Sequence, residues 1–224
     1  MVTATDMTMT IEADALYRLM SWLSPSFPVG AFSYSHGIEY AVEAGLVRNE
    51  ADLRDWIDSG LKHEFGPVNG AMLRSAYEAH DLAQALEEAR ALVPTLEFEL
   101  EHKAQGEAFM LAFRAAWGDV RLPEGWVPYP SAVGIAARTC GVPMRAALIA
   151  FFHSVVSNLI SAGIRTVPLG QTAGQRILAS LQPAVIAAAD DALARDPDDV
   201  GAAAPMIEWT SIRHETQYTR LFRS

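Results

Sequence analysis

Cysteine is almost missing from this 224-residue chain: Cys140 is the only one. No intramolecular disulfide framework and no multi-cysteine zinc or iron–sulfur site can be built from it, and Cys140, in an apolar stretch, reads as a small core residue. Lysine is nearly as scarce, with Lys62 and Lys103 alone, and 17 basic residues face 27 acidic ones for a formal net charge of −10. That balance excludes a general nucleic-acid binder, which needs a basic surface to neutralise phosphates; acidic chains more often meet basic protein partners. The opening MVTATDMTMTIEAD has neither the basic nor the apolar region of a signal peptide. The most apolar helix candidate is interrupted by Arg145 and His153, so no membrane span is expected and the cytoplasm is the expected compartment.

Catalytic and cofactor motifs are missing as well. Neither G-x-x-x-x-G-K-[ST] nor G-x-G-x-x-G occurs, so the chain has no phosphate cradle of its own and is not an NTPase. Ser35-His36 is the one hint of a nucleophile beside a base, but neighbours on a helix point about 100° apart and there is no G-x-S-x-G elbow. The six histidines, His36, His63, His80, His102, His153 and His214, show neither H-x-x-x-H nor H-E-x-x-H, which leaves at most a weak metal site shared across a dimer interface. Glu97 and Glu101, four apart, read as a solvated helix face rather than as an acid–base pair.

What is present is helical periodicity, in a chain half apolar and long enough to bury one ordinary core. The fold class expected is all-α: a single-domain multi-helix bundle over residues 1–204 with a flexible C-terminal tail, 205–224, that binds a partner. Leu16, Leu19, Met20 and Leu23 stripe a first helix that stops at Ser24-Pro25. Asn49 caps a second, with Leu53, Trp56, Ile57 and Leu61 inward and Gly66-Pro67 as its stop. Asp81 starts a short helix; a long one after Pro94 carries Leu96, Leu100, Ala104, Ala108, Leu111 and Ala115. Residues 118–130 read as an exposed loop. Pro143 opens the most apolar helix, the expected hub, and Pro183 kinks or divides the helix from Gln175 to Ala194. Charge is uneven: −11 over residues 1–124, +4 over 125–189 and −3 over 190–224. The middle third is therefore either buried core or a face that packs against a second copy or another protein.

One polar, glycine-punctuated segment stands out. In SPSFPVGAFSYSHGIEYAVEAGLV, beginning at Ser24, two prolines stiffen a turn, Gly30 permits positive φ, and Gly37 enters a helix despite its cost of about 1 kcal/mol. This segment resembles the signature S-x-x-x-P-x-G-x-[FY]-x-x-S-x-G-[LI]-E of the UreF family of urease accessory proteins. ISAGIRTVPLGQTAGQRIL, residues 160–178, resembles that family's second landmark, and RHETQYTRLFRS, residues 213–224, resembles its C-terminal tail. The three matches fall in family order across nearly the whole chain; the long helix keeps the Gln105-Gly106 element but begins with more acids than the family's arginine-containing version.

The resemblance implies an all-helical protein without enzymatic activity or cofactor. It would bridge UreD, called UreH in some organisms, and the GTPase UreG while nickel is inserted into apo-urease, and would do so as a homodimer. Neither nucleic acid nor membrane is an expected partner. The tail residues Arg213, His214, Glu215, Gln217, Tyr218, Arg220, Leu221 and Phe222 are expected to meet UreD. Phe27, Pro28, Gly30, Tyr34, Ser35, His36, Gly37, Glu39, Arg165, Pro168, Gly170, Gln171 and Gln175 are expected at the dimer or UreG-facing surface. The alternative is a nickel-binding metallochaperone that holds the metal itself, on His36 or Cys140.

Overall fold

The computed structural model describes residues 11–197 and 199–224. The opening MVTATDMTMT, read above as lacking a leader, and Asp198 lie outside the described residues. Regular structure among the described residues is helical throughout: α1 (Ala13–Trp22), a 3-10 turn (Ala31–Ser33), α2 (Ile38–Glu43), α3 (Glu50–His63), α4 (Phe65–Glu78), α5 (Leu82–Ala91), α6 (Leu96–Ala116), α7 (Tyr129–Thr139), α8 (Met144–Thr166), α9 (Gln171–Ala194) and α10 (Pro205–His214). The all-α expectation holds.

Local chemistry sets the boundaries. Asn49 accepts the Asp52 amide at 3.0 Å, Asp81 accepts those of Ala83 and Gln84, and Thr95 that of Phe98, each satisfying orphan donors of a first turn. Gly66-Pro67 does not stop α3, which ends at His63; the pair opens α4. Proline suits a first turn, where its missing N–H has no helical partner, and a Cβ on Gly66 would lie 1.8 Å from the Leu61 carbonyl oxygen. Pro183 does not divide α9, which runs on through it. The 118–130 loop is exposed only in its first part; Val127, Pro128, Tyr129 and Pro130 are buried, the last two inside α7.

The core forms where α4 packs on α7 and α9, and α8 on α9, with Leu73, Val133, Phe151, Phe152, Ile177 and Leu181 buried between them. Each such side chain contributes about 1.5–3 kcal/mol relative to exposure. Beside it Trp22 meets Phe113 edge-on at 5.5 Å and Trp117 at 5.8 Å, fixing α1. Helices α8 and α9 are long and apolar enough to cross a membrane by length and composition, and both pack into the bundle.

The phase of α6 differs from the expected one. Leu96, Leu100 and Leu111 point outward, 57, 53 and 76 % exposed. Glu97, Phe98, His102, Gln105, Phe109 and Phe113 point inward. Two registers fit this helix, and the aromatic one prevails because Phe109 and Phe113 complete the cluster around Trp22. Glu97, His102 and Gln105 are carried inside with them. The C-terminal segment also departs from the flexible tail expected: Pro205–His214 is a helix packed on α2 and α6, and the last four residues, Leu221 to Ser224, bond to the Ser33–Glu39 strap.

Candidate functional site

Two consecutive left-handed residues shape the strap. His36 has φ 56° and Gly37 has φ 78°, a costly conformation for the histidine that persists only where its surroundings fix it. They do so here. The His36 ring stacks on Phe98 at 3.9 Å, and its two nitrogens reach carboxylates, Nε2 to Glu64 at 3.0 Å and Nδ1 to Glu101 at 3.5 Å. Burial alone would discharge the imidazole, but the Glu64 charge and the hydrogen bonds to Glu101 and Glu64 outweigh it and raise its pKa to about 10. The consequence is a buried, doubly bonded imidazolium. Glu101 shows the reverse balance: burial pushes it up, yet His36 and the Ser224 hydroxyl hold it below the usual carboxylate range.

A second cluster of the same kind lies beside it. His214, at the end of α10 and fully buried, sets Nδ1 2.7 Å from Glu97 and Nε2 3.1 Å from Glu39. Burial opposes its charge, and the bonds to Glu97 and Glu39 reverse the balance, so its pKa is raised. Arg220 donates to the other Glu97 oxygen at 3.1 Å.

These acids hold the C-terminal segment. The Leu221 and Phe222 amides donate to Glu39 at 2.6 and 2.9 Å, and Ser224 Oγ donates to Glu101 at 2.9 Å. The Ser224 carbonyl accepts from both the amide and the hydroxyl of Ser35, at 2.7 and 2.6 Å. The Arg223 amide donates to the Ser33 carbonyl at 2.8 Å. Arg165 closes the arrangement from α8, its guanidinium 4.2 Å over the Phe222 ring while it donates to the Phe32 carbonyl. Gly37 is required by contact too, since a Cβ there would lie 2.7 Å from Thr210 Oγ1 on α10.

The structure thus unites residues from all three landmark segments. Ser35, His36, Glu39, Arg165, His214, Arg220 and Phe222 belong to one network, whereas Pro168, Gly170, Gln171 and Gln175 occupy the exposed turn between α8 and α9 and the start of α9. Arg176 nearby pairs with Glu50, 2.6 and 2.9 Å between them. Of the residues assigned to a surface, Tyr34, Ser35, His36, Gly37 and Glu39 are buried in the single chain; Phe27 and Gly30 are half-buried and Pro28 exposed. On the tail, Tyr218 is fully exposed and Leu221 63 % exposed; Arg213, Glu215 and Arg220 are exposed, Gln217 is half-buried and bonded to Glu43, and His214 and Phe222 are buried.

Sequence reasoning missed Glu64, Glu97, Glu101, Thr95 and Ser224. The i, i+4, i+8 series Glu97, Glu101, Gln105 was the available signal; spacing alone does not tell which side of a helix faces in. Cys140 stands at the end of α7 with its thiol pushed up by burial. Among the described residues, no group of three or more His, Cys, Asp or Glu is placed to hold a metal ion.

Comparison with known proteins gives a consistent result. A family model described as UreF matches residues 47–182. A curated relative named urease accessory protein UreF, from Rhodopseudomonas palustris strain HaA2, is 52 % identical over 225 residues, covering 95 % of each chain. Relatives of the same name from Bradyrhizobium diazoefficiens and from Bradyrhizobium sp. strain BTAi1 are 49 and 45 % identical, covering 95 and 96 % of this chain and 93 and 94 % of theirs.

Proposed function

Because the chain belongs to the UreF family of urease accessory proteins, with a role in urease maturation, we propose that it acts as a non-enzymatic scaffold. It bridges UreD (UreH) and the GTPase UreG so that nickel, the cargo, reaches apo-urease. The observation that carries this reading is the seating of the C-terminal segment. The buried side of that segment is fixed by Glu39, Glu97 and Glu101, and its outer side presents Tyr218, Leu221 and Trp209 to solvent. A prefixed backbone with exposed aromatic and aliphatic anchors and flanking arginines is the composition that dominates binding energy at interfaces, and prefixing lowers the entropy cost of capture.

On this reading the tail faces UreD and the α8–α9 turn with Phe27, Pro28 and Gly30 faces UreG or the second protomer of a homodimer, in the cytoplasm. The buried strap residues act by positioning the tail rather than by contact. A metallochaperone reading has less behind it, because both ring nitrogens of His36 are already bonded to carboxylates.

The test is capture of purified UreD by the full chain and by a Tyr218→Ala, Leu221→Ala double variant, followed by size-exclusion chromatography with light scattering. Both side chains are exposed, so the variant is expected to unfold at the wild-type midpoint and to lose at least about 2 kcal/mol of UreD affinity. Undiminished capture would remove the tail from the interface. Deleting residues 205–224 is a poorer test, since it strips Ile207 from the Phe98 cluster and leaves Glu39 and Glu97 without His214.

A further inference from the structure

A cavity of about 420 Å³ opens between the loop over residues 23–32 and the α8 face over 153–161, with α6 as its floor. That is room for a small molecule and not only for a few waters. Its deep end is formed by side chains nearly closed off from solvent: Asn69, His102 and Gln105 are 4, 8 and 4 % exposed. Neither Asn69 nor His102 has a side-chain hydrogen-bond partner among the described residues, although buried amides and imidazoles are rarely left without one. Helices α4 and α6 thus carry into the cavity polar groups that the fold itself does not use.

The charged groups of the floor are already matched. Glu101 receives Gln105 on one oxygen and His36 and Ser224 on the other, and the second nitrogen of His36 is held by Glu64. At His102, burial, the larger cause, together with the His36 charge outweighs Glu101 and brings the pKa down to about 4. That ring is neutral, with one N–H and one bare nitrogen. His153 stands exposed at the rim. The neutral groups are balanced in kind. Gln105 and Asn158 each spend one N–H, on Glu101 and on the Tyr34 carbonyl, and each keeps its other N–H and its carbonyl. Asn69 keeps its whole amide and Ser161 its hydroxyl. Donors and acceptors therefore stand side by side, which suits a neutral molecule that offers both. Phe27 and Tyr129 add aromatic wall, with Tyr129 braced by the Phe151 ring at 5.5 Å.

We propose that this cavity binds a small neutral heterocycle with a lactam edge, an N–H beside a C=O in a flat ring, for which uracil is the simplest probe. The Asn69 amide sets an N–H and a C=O next to each other, and a lactam offers the complement at the same spacing, so the two close a pair of hydrogen bonds. The aromatic wall takes the face of the ring, and the spare groups of Gln105, Asn158 and His102 remain for its second carbonyl. A structural amide would be tied to its own chain; Asn69 is not, and that points to a ligand. The mouth, at Pro28 and Gly30, borders the face proposed above for UreG or the second protomer, but the site rests on the cavity alone.

The experiment is a titration of the full-length protein with uracil, read by calorimetry and by the side-chain amide resonances of Asn69, Gln105 and Asn158. Two analogues are titrated in parallel: 1,3-dimethyluracil, which keeps the ring and both carbonyls but has no N–H, and orotate, which adds a carboxylate. One saturable uracil per chain is expected, with a dissociation constant of about 1 mM or tighter, a shift at the Asn69 amide, and both analogues at least about tenfold weaker. Asn69→Leu is expected to weaken uracil binding about tenfold or more and to leave the thermal unfolding midpoint at or above the wild-type value, because the amide has no partner in the fold to lose. The comparison of uracil with 1,3-dimethyluracil needs no variant and stands should Asn69→Leu fail to fold. Absence of saturable uracil binding, or shifts confined to residues outside the cavity, would overturn the site and leave it to water. Equal binding of 1,3-dimethyluracil, or undiminished uracil binding by Asn69→Leu, would overturn the lactam pairing, and tighter binding of orotate than of uracil would overturn the neutral assignment.

Discussion

At the scale of single residues, the decisive groups are buried acids that each serve more than one partner. Glu97 binds His214 with one oxygen and Arg220 with the other, with a side chain only 3 % exposed. Glu97→Ala leaves a buried imidazole facing Glu39 alone, and removing one member of a buried ion pair costs about 3–5 kcal/mol. The urea midpoint of Glu97→Ala should fall accordingly, and the double variant with His214→Ala should cost far less than the sum of the singles. A change within about 0.5 kcal/mol for Glu97→Ala would show that the cluster does not bear on stability. Gly37 provides a second test. Gly37→Ala brings both a φ of 78° and a Cβ 2.7 Å from Thr210 Oγ1, whereas Gly45→Ala brings a φ of 71° and no contact within 4 Å. Both lose about 1 kcal/mol to backbone strain, and only Gly37→Ala should lose further stability by lifting α10. Equal losses in thermal unfolding would contradict the close approach.

At the scale of elements, the tail is seated by charges whose titration sets its pH window. His36 has a raised pKa, so its contribution to folding is complete below about pH 6.5 and is lost as pH climbs through about 10. Glu101 has a lowered one, so its contribution is complete above the ordinary glutamate value of 4.5 and is lost as pH falls below that through the folded value. Stability should therefore be greatest between about pH 4.5 and 6.5 from these two groups and decline towards pH 10 with a slope of up to about 1.4 kcal/mol per pH unit. Urea unfolding from pH 4 to 10 measures this, and His36→Gln should flatten the alkaline limb; an unchanged limb would assign it elsewhere. The same elements show what the sequence could disclose. Caps and prolines marked the starts of α3, α5 and α8, because those signals are local. The landmark segments were legible as motifs, but their meeting was not: Ser35 and Ser224 are 189 positions apart, and only the tertiary fold brings them together. For α6 two apolar registers competed, and the choice rested on aromatic partners in α1 and on α10, which no local window contains. The tail looked flexible because its helix propensity is slight; the carboxylates that seat it come from α2 and α6.

At the scale of the whole molecule, a scaffold that bridges two proteins needs faces that work independently. The two surfaces proposed above, the tail for UreD and the α8–α9 turn for UreG or the second protomer, lie on separate hydrogen-bond networks. The tail is tied to α2 and α6 through Glu39, Glu97 and Glu101, while the α8–α9 turn, with Pro168, Gly170, Gln171 and Gln175 exposed, shares none of those hydrogen bonds. Among the described residues Arg165 links the two, since it stands two residues before Val167 and stacks on Phe222. Substitutions at sites without shared partners add within about 0.5 kcal/mol, whereas coupled sites do not. Gln171→Glu with Gln175→Ala should therefore weaken UreG capture or self-association at least about tenfold and leave UreD capture at its wild-type level, and Tyr218→Ala with Leu221→Ala should do the reverse. Arg165→Ala should weaken UreD capture without removing any exposed anchor, because it loosens Phe222 from its seat. Calorimetric titration of each variant with each partner gives six numbers. A turn variant that loses both partners equally would mean that the two faces are one, and the bridge would have to be replaced by a single composite interface.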